Sequence, residues 1–246
     1  MSQMCHICDP KCKYENCICN ENFANFYDIY NEMQSLESLG DITVVKPWSI
    51  STMTICCKFN SSINLEKYSN LYCEEINPKK FYNCINTYIS IKYQLKSQIS
   101  IKIFSNGNIQ LAGVLNVRSV TYSIRKIYKR LTSLEAFVDE NFHISDLRIC
   151  MINSDFKIDK NIKQSLLCKL LETENFSYIK RYSFNPSKYP GINIKFENPY
   201  LPGNLISCII FRPGSIIITG GNDLSSYNYV YEKVLNLLTM SKDILY

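Results

Sequence analysis

Histidine is almost missing from this chain: of 246 residues only His6 and His143 carry an imidazole. No glycine-rich phosphate loop and no paired-carboxylate motif stands out. The usual acid–base and nucleotide-binding constellations therefore have no residues to build on. His143 falls in the alternating stretch FHISDL, where it reads as a surface strand residue rather than a catalyst. Long apolar runs are absent as well, and none approaches the roughly 20 residues needed to span a bilayer. The opening MSQMCHICDPKCKYE has no apolar segment of the kind a secretory leader needs. The expectation is a non-enzymatic protein with no membrane span, no secretion and no small-molecule substrate. Net charge is low, +5 from 27 Lys and Arg against 22 Asp and Glu, which permits a nucleic-acid partner without requiring one.

What is present is a repeat. QISIKIFSNGNIQLAG (98–113) and LISCIIFRPGSIIITG (205–220) each read as two short strands joined by a tight turn. Phe104 and Phe211, Gly107 and Gly214, and Gly113 and Gly220 are all separated by 107 residues. The offset carries into the next segment, where Ile127 and Leu131 meet Val234 and Leu238. Upstream, Pro78 with Pro186 and Phe81 with Tyr189 give 108. The sequence is an internal duplication with a period of roughly a hundred residues, long enough for one or two cores.

Side chains alternate faces along a strand. Ile99, Ile101, Ile103, Ile109 and Leu111 thus share one face of the first hairpin, with Ser100, Lys102, Phe104, Gln110 and Ala112 on the other. In the second hairpin Ile206, Cys208, Ile210, Ile216 and Ile218 take the first face, and Ser207, Ile209, Phe211, Ile217 and Thr219 the second. Each copy places a phenylalanine at a strand end on the face away from the aliphatic core. That is the pattern of a contact surface; the plain alternative is that helices cover both faces.

Five of the twelve cysteines fall in the first nineteen residues. With no leader, such a cluster suits metal better than disulfides. Cys5, Cys8, Cys17 and Cys19 can supply four thiolates to a structural zinc ion, with Cys12 or His6 as substitutes. The alternative is a reduced tail. From Asn20 to Gly40, Phe23, Phe26, Tyr27, Tyr30, Met33 and Leu36 recur at helical steps, predicting an amphipathic linker helix over 21–40 that docks on the body.

The first repeat then runs over 41–134 and the second over 135–246. In the first, a strand over 49–59 precedes a short helix over 63–72, a turn at Asn77–Phe81, a strand to Ile91, the hairpin, and a helix over 117–131. The second has a strand at 144–152, a helix near 162–171, a turn at Asn185–Gly191, a strand, the second hairpin and a helix near 225–238.

Two repeats carrying NPKKF then IFSNGNIQLAG, and NPSKYPG then IFRPGSIIITG, resemble the TATA-box-binding protein (TBP) family from about Asp41 to Leu238. The cysteine segment has no counterpart there. Heavy use of Asn, Ile, Lys and Tyr points to an AT-rich coding genome, and the divergence looks like that of a large DNA virus or AT-rich protist version. The resemblance implies an α+β fold in which two pseudo-symmetric repeats form a saddle: a curved antiparallel sheet, helices on the convex side, and the concave side in the DNA minor groove. It implies a general transcription initiation factor that binds and bends AT-rich double-stranded DNA. The wedging aromatics would be Phe81 and Phe104 in one repeat and Tyr189 and Phe211 in the other.

On the groove floor the family's opening-strand asparagine aligns with Trp48 and Asp146, and its valine two residues on with Ile50 and Arg148. The return strand gives Gln110 and Ala112, then Ile217 and Thr219; Lys102 and Ile209 line the same face. Arg148 would suit a narrow A·T groove and Asp146 would oppose it. The helix bearing Arg118, Arg125, Lys126, Lys129 and Arg130 matches the family's convex helix that meets other transcription factors, although a run of charge is also what a solvated face looks like. The Pro186–Lys188 turn matches the stirrup where a TFIIB-like initiation factor docks, alongside the RNA polymerase machinery. Action in the nucleus or in a cytoplasmic viral factory, with packaging in the virion as a variant, would follow. The rival reading is a TBP-like scaffold that has lost DNA binding and serves protein contacts in a transcription or virion complex.

Overall fold

The period-two pattern of the two hairpins governs the architecture. The computed structural model of the protein describes residues 38–39, 42–72, 83–91, 98–139, 144–240 and 242–246. Among them, in chain order, are β1 (Ser38–Leu39), β2 (Ile42–Phe59), α1 (Leu65–Tyr72), β3 (Cys84–Ser90), β4 (Gln98–Phe104), β5 (Asn108–Val114), α2 (Val117–Ser133) and β6 (Ile144–Ile158). These are followed by α3 (Gln164–Thr173), β7 (Ile179–Asn185), β8 (Tyr189–Glu197), β9 (Leu205–Ile210), β10 (Ser215–Thr219), α4 (Leu224–Thr239) and a 3-10 turn at Lys242–Ile244. The fold class is α+β, with antiparallel ladders and helices, as expected. The cysteine segment lies outside the described residues. Of the expected linker helix, Ser38 and Leu39 are strand instead, paired with Thr43 and Ile42.

The chain divides into two compact units that do not follow the repeat boundaries. Among the described residues, unit 1 is Thr52–Cys150, and unit 2 combines those before Thr52 with Met151–Tyr246. The long opening strands cause the difference. β2 gives its first ten residues to unit 2 and the rest to unit 1, while β6 gives its first seven to unit 1 and the rest to unit 2. Strand order is β3-β4-β5-β2 in unit 1 and β6-β10-β9-β8-β7 in unit 2.

In unit 1, Ile99, Ile101, Ile103, Ile109 and Leu111 are buried as the alternation predicts. Val120, Ile124, Ile127 and Leu131, the apolar stripe of α2, are buried too. Phe59 anchors a ring cluster, its centroid 6.4 Å from Tyr128 and 5.4 Å from Phe137. Asn116 caps α2 by accepting from Ser119 N at 2.9 Å. Unit 2 repeats the design with Ile206, Cys208, Ile210, Ile216 and Ile218 against Tyr227, Val230, Tyr231, Val234 and Leu238 of α4. Phe156 meets Tyr231 edge-on at 4.6 Å, and Asp223 caps α4 through Ser226 N. Each fully buried aliphatic side chain contributes roughly 1.5–3 kcal/mol, so these two layers fix which face of each unit is core.

One lock recurs. Gly107 and Gly214 adopt φ of 85° and 78°, and a Cβ would come within 2.0 Å of Phe59 O in the first case and 2.4 Å of Lys160 O in the second. Their carbonyls accept from Phe59 N at 2.9 Å and Ile158 N at 3.0 Å. Only glycine satisfies both the left-handed backbone and the close approach, and each hairpin turn is thereby fastened to the end of its opening strand.

Candidate nucleic-acid interface

With one face of each unit taken by helices, the other carries half-exposed side chains. In unit 2 its most prominent feature is an aromatic pair. Tyr189, 47% exposed, and the half-buried Phe211 stand edge-to-face with centroids 5.7 Å apart. They rest on Gly191, where a Cβ would lie 2.5 Å from Ile209 Cγ2 and 3.1 Å from each ring. The missing side chain is what lets the rings lie side by side over β8. Gln164 of α3 braces the strands behind them, donating to Pro190 O at 2.7 Å. The Phe211 backbone is held by Ser215 O at 3.0 Å and accepts from Gly214 N at 3.1 Å.

Phe211 also borders a cleft lined by Ser51, Asn153, Asp155, Ile217 and Thr219. Ile209 is half-buried on the same face. The polar groups here are engaged with one another. Asp155 is ion-paired with Lys46 and accepts from Ser51 Oγ, while Asn153 Oδ1 accepts from Thr219 Oγ1.

The unit 1 face is built from the same strands with different chemistry. Its cleft is lined by Phe104, Gln110, Cys56, Lys58, Asp146 and Arg148, among others. Phe104 sits at the start of its turn as Phe211 does, accepting from Gly107 N at 3.0 Å. Lys102 and Ala112 are half-buried alongside. Asp146 and Arg148 are exposed, and Asp146 adopts φ of 51°. The Cys56 thiol is hydrogen-bonded to Cys150, and burial, followed by that bond and the neighbouring thiol, pushes it up to about 12 against the pull of Arg148. At neutral pH the floor here is a neutral thiol between charged side chains.

The register of the opening strands corrects the sequence alignment. Lys58, Cys56 and Thr54 lie opposite Asn108, Gln110 and Ala112. Lys157, Asp155 and Asn153 lie opposite Ser215, Ile217 and Thr219. Equivalent opening-strand positions are thus 99 residues apart rather than 98. Trp48 corresponds to Leu147, and both are buried at 0% and 3% exposure. Trp48 packs edge-on to Tyr227, centroids 6.4 Å apart, so it is core and not groove floor. Ile50 shares its parity; Ser51, bonded to Asp155, is the residue that reaches the open face. By the same offset Asn153 corresponds to Thr54, the residues opposite Thr219 and Ala112. The signal that would have found Asn153 is the position of Thr219, its cross-strand neighbour.

The remaining candidates lie apart from this face. On α2, Arg125 and Lys129 are exposed, Lys126 Nζ lies 5.7 Å from the Tyr122 ring centroid, and Arg130 donates to Tyr68 OH at 3.2 Å. Pro186 and Lys188 are exposed in the β7–β8 turn, where Lys188 N donates to Asn185 O at 3.0 Å. Phe81, the Arg118 side chain, His143, and Cys5, Cys8, Cys17 and Cys19 lie outside the described residues.

Residues 48–134 match the family model for "Transcription factor TFIID (or TATA-binding protein, TBP)". A TATA-box-binding protein-like protein of Acanthamoeba polyphaga mimivirus is 24% identical, with 94% of this chain and 77% of the relative covered. A TATA-box-binding protein of Natronomonas pharaonis is 24% identical over 136 residues, 55% of this chain and 65% of the relative. Among solved structures, Methanococcus jannaschii TBP shares the fold with a TM-score of 0.63 at 18% identity, covering 79% of this chain and 99% of that one.

Proposed function

We propose that this chain, a divergent TBP-like protein with viral and archaeal relatives, is a non-enzymatic transcription initiation factor that binds and bends promoter DNA from the minor-groove side. The observation that carries this reading is the Tyr189–Phe211 pair, two rings kept off the core and seated on a glycine notch. Rings held at a strand end are suited to enter a parted base step, which is how the TBP family bends its DNA. Phe104 would serve as the counterpart in unit 1, and Phe81, by resemblance to the family, as its second wedge. Tyr189 brings a hydroxyl into the wedge, which needs a polar partner, so its kink is expected to be shallower than a phenylalanine's.

Around the wedges, Ile209, Ile217 and Thr219 would contact the groove floor, with Lys102, Gln110, Ala112 and Arg148 doing so in the other repeat. Arg125, Lys126, Lys129 and Arg130 would offer α2, and Pro186 and Lys188 the β7–β8 turn, to the initiation machinery. Cys5, Cys8, Cys17 and Cys19 would hold a structural zinc ion, which metal analysis of the full chain against Cys5→Ser/Cys8→Ser would test: one equivalent lost on substitution supports it, none in either protein refutes it.

The test of DNA binding is fluorescence anisotropy on an AT-rich duplex, with a salt titration and a minor-groove drug as competitor. Binding that weakens with salt, yields to the drug and is lost in Phe104→Ala/Phe211→Ala supports the reading. The second reading, a scaffold without DNA binding, draws on the exposed Asp146 carboxylate beside Phe104; no binding to any duplex at low salt would favour it.

A further inference from the structure

We propose that Asp146, flanked by Arg148, reads the exocyclic amino group of a guanine, so that the unit 1 floor selects a G·C pair within an otherwise A·T-rich site. This rests on the minor-groove reading above and deepens it. The minor-groove edges of A·T and T·A offer only acceptors, whereas G·C adds one donor, the guanine N2 amino group, between acceptors on either side. A surface complementary to that edge presents a donor, an acceptor and a donor. The unit 1 cleft has such a set: Arg148 and Lys58 donate, and Asp146 and the Gln110 amide oxygen accept. Over A·T pairs the Asp146 carboxylate would face acceptors and phosphates alone, with no donor to meet it.

Unit 2 does not share this property, although it too has a carboxylate at its floor. Asp155 is covered by Lys46 and Ser51, and the Asn153 carbonyl is occupied by Thr219. What remains towards a ligand is Ile209 and Ile217, which offer nothing to an amino group. A guanine placed there would be desolvated without a partner. Among the described residues Asp146 joins no ion pair. Its left-handed backbone, φ 51°, is a conformation that Asp, Asn and Gly tolerate, and it defines which replacements are clean.

The experiment uses the full chain and duplexes of about two helical turns. Each has an A·T core in which one G·C pair is walked position by position, then replaced by inosine·C, which keeps the pairing and deletes only the amino group. The expected result is a stretch of positions where guanine binds about tenfold tighter than inosine, and other positions where guanine binds more weakly. In Asp146→Gly the guanine preference disappears while affinity for the all-A·T duplex rises. Asp146→Asn, which keeps an acceptor, retains part of the preference. Equal binding of guanine and inosine at every position, with normal affinity for the all-A·T duplex, overturns the inference and leaves DNA binding intact. Absence of binding to every duplex overturns both.

Discussion

The two units use one scaffold to opposite chemical ends. Both turn a phenylalanine outward at the start of a hairpin turn, and both fasten that turn to the opening strand through a left-handed glycine. On the floor between, unit 2 is neutralised: Asp155 is paired, Asn153 is bonded to Thr219, and isoleucines fill the rest. Unit 1 leaves charge exposed, with Asp146 and Arg148 both open to solvent beside Phe104. Duplication preserved the parts that set backbone geometry and core, and let the contact face diverge. That is the expected order, because a core side chain is constrained by every neighbour it touches, whereas a solvent-facing one answers only to its ligand.

The comparison breaks most severely at the core. Trp48→Ala should cost about 3–5 kcal/mol, since Trp48 is fully buried against Tyr227. Chemical denaturation would show this as a lowered midpoint, with loss of unit 2 amide protection before that of unit 1 in hydrogen exchange. A tryptophan on the groove floor, as the sequence alignment had it, would leave stability untouched and alter DNA binding instead.

Gly191→Ala is a smaller and more selective lesion. A methyl group 2.5 Å from Ile209 Cγ2 and 3.1 Å from both rings should cost about 1–3 kcal/mol and push Tyr189 and Phe211 apart. DNA affinity should fall while the Phe104 side is unaffected, which Phe104→Ala in the same background would reveal as a further, independent loss.

Lys46→Ala sharpens the contrast without disturbing the fold. The Lys46 and Asp155 side chains are 52% and 29% exposed, so the pair contributes at most about 1 kcal/mol to stability. Uncovering Asp155 would instead make unit 2 resemble unit 1 electrostatically, and binding to an all-A·T duplex should weaken by a factor of a few.

The last effect is confined to alkaline pH. Burial pushes Cys57 from its ordinary 9.0 to about 12, so its neutral form is favoured in the folded state. The associated stability is complete below pH 9 and is lost as pH rises towards 12. Thermal unfolding across pH 7–11 should show a flat region followed by a decline. Cys57→Ala should start lower and decline less above pH 9.

Much of this was legible in the sequence because the hairpins are local. Strict alternation and the Asn106-Gly107 and Pro213-Gly214 turns specify both pairing and faces within sixteen residues, and burial in β4–β5 and β9–β10 follows that parity except at Val114, after the left-handed Gly113, and at Ser207. The opening strands were harder. β2 runs for 18 residues through Pro47 with a register shift between Met53 and Thr54, so no single parity holds along it and Ile50 was placed on the face that belongs to Ser51. The hairpin spacing of 107 gives no information about the opening strands, where equivalents are 99 apart. Asn153 was hidden by that difference, since its side chain is held by Thr219, a neighbour 66 residues away. β7 was not foreseen either: IKRYSFN lacks a buried aliphatic row, and its pairing with β8 is broken by register shifts.

The most direct measurement is the end-to-end distance of a doubly labelled AT-rich duplex on binding the wild-type chain, Tyr189→Ala/Phe211→Ala and Phe104→Ala. The account predicts shortening of the duplex by the wild type, partial loss with either variant, and loss in full when the three substitutions are combined with Phe81→Ala. Saturated binding with no change in distance, or a change that survives the combined substitution, would contradict it.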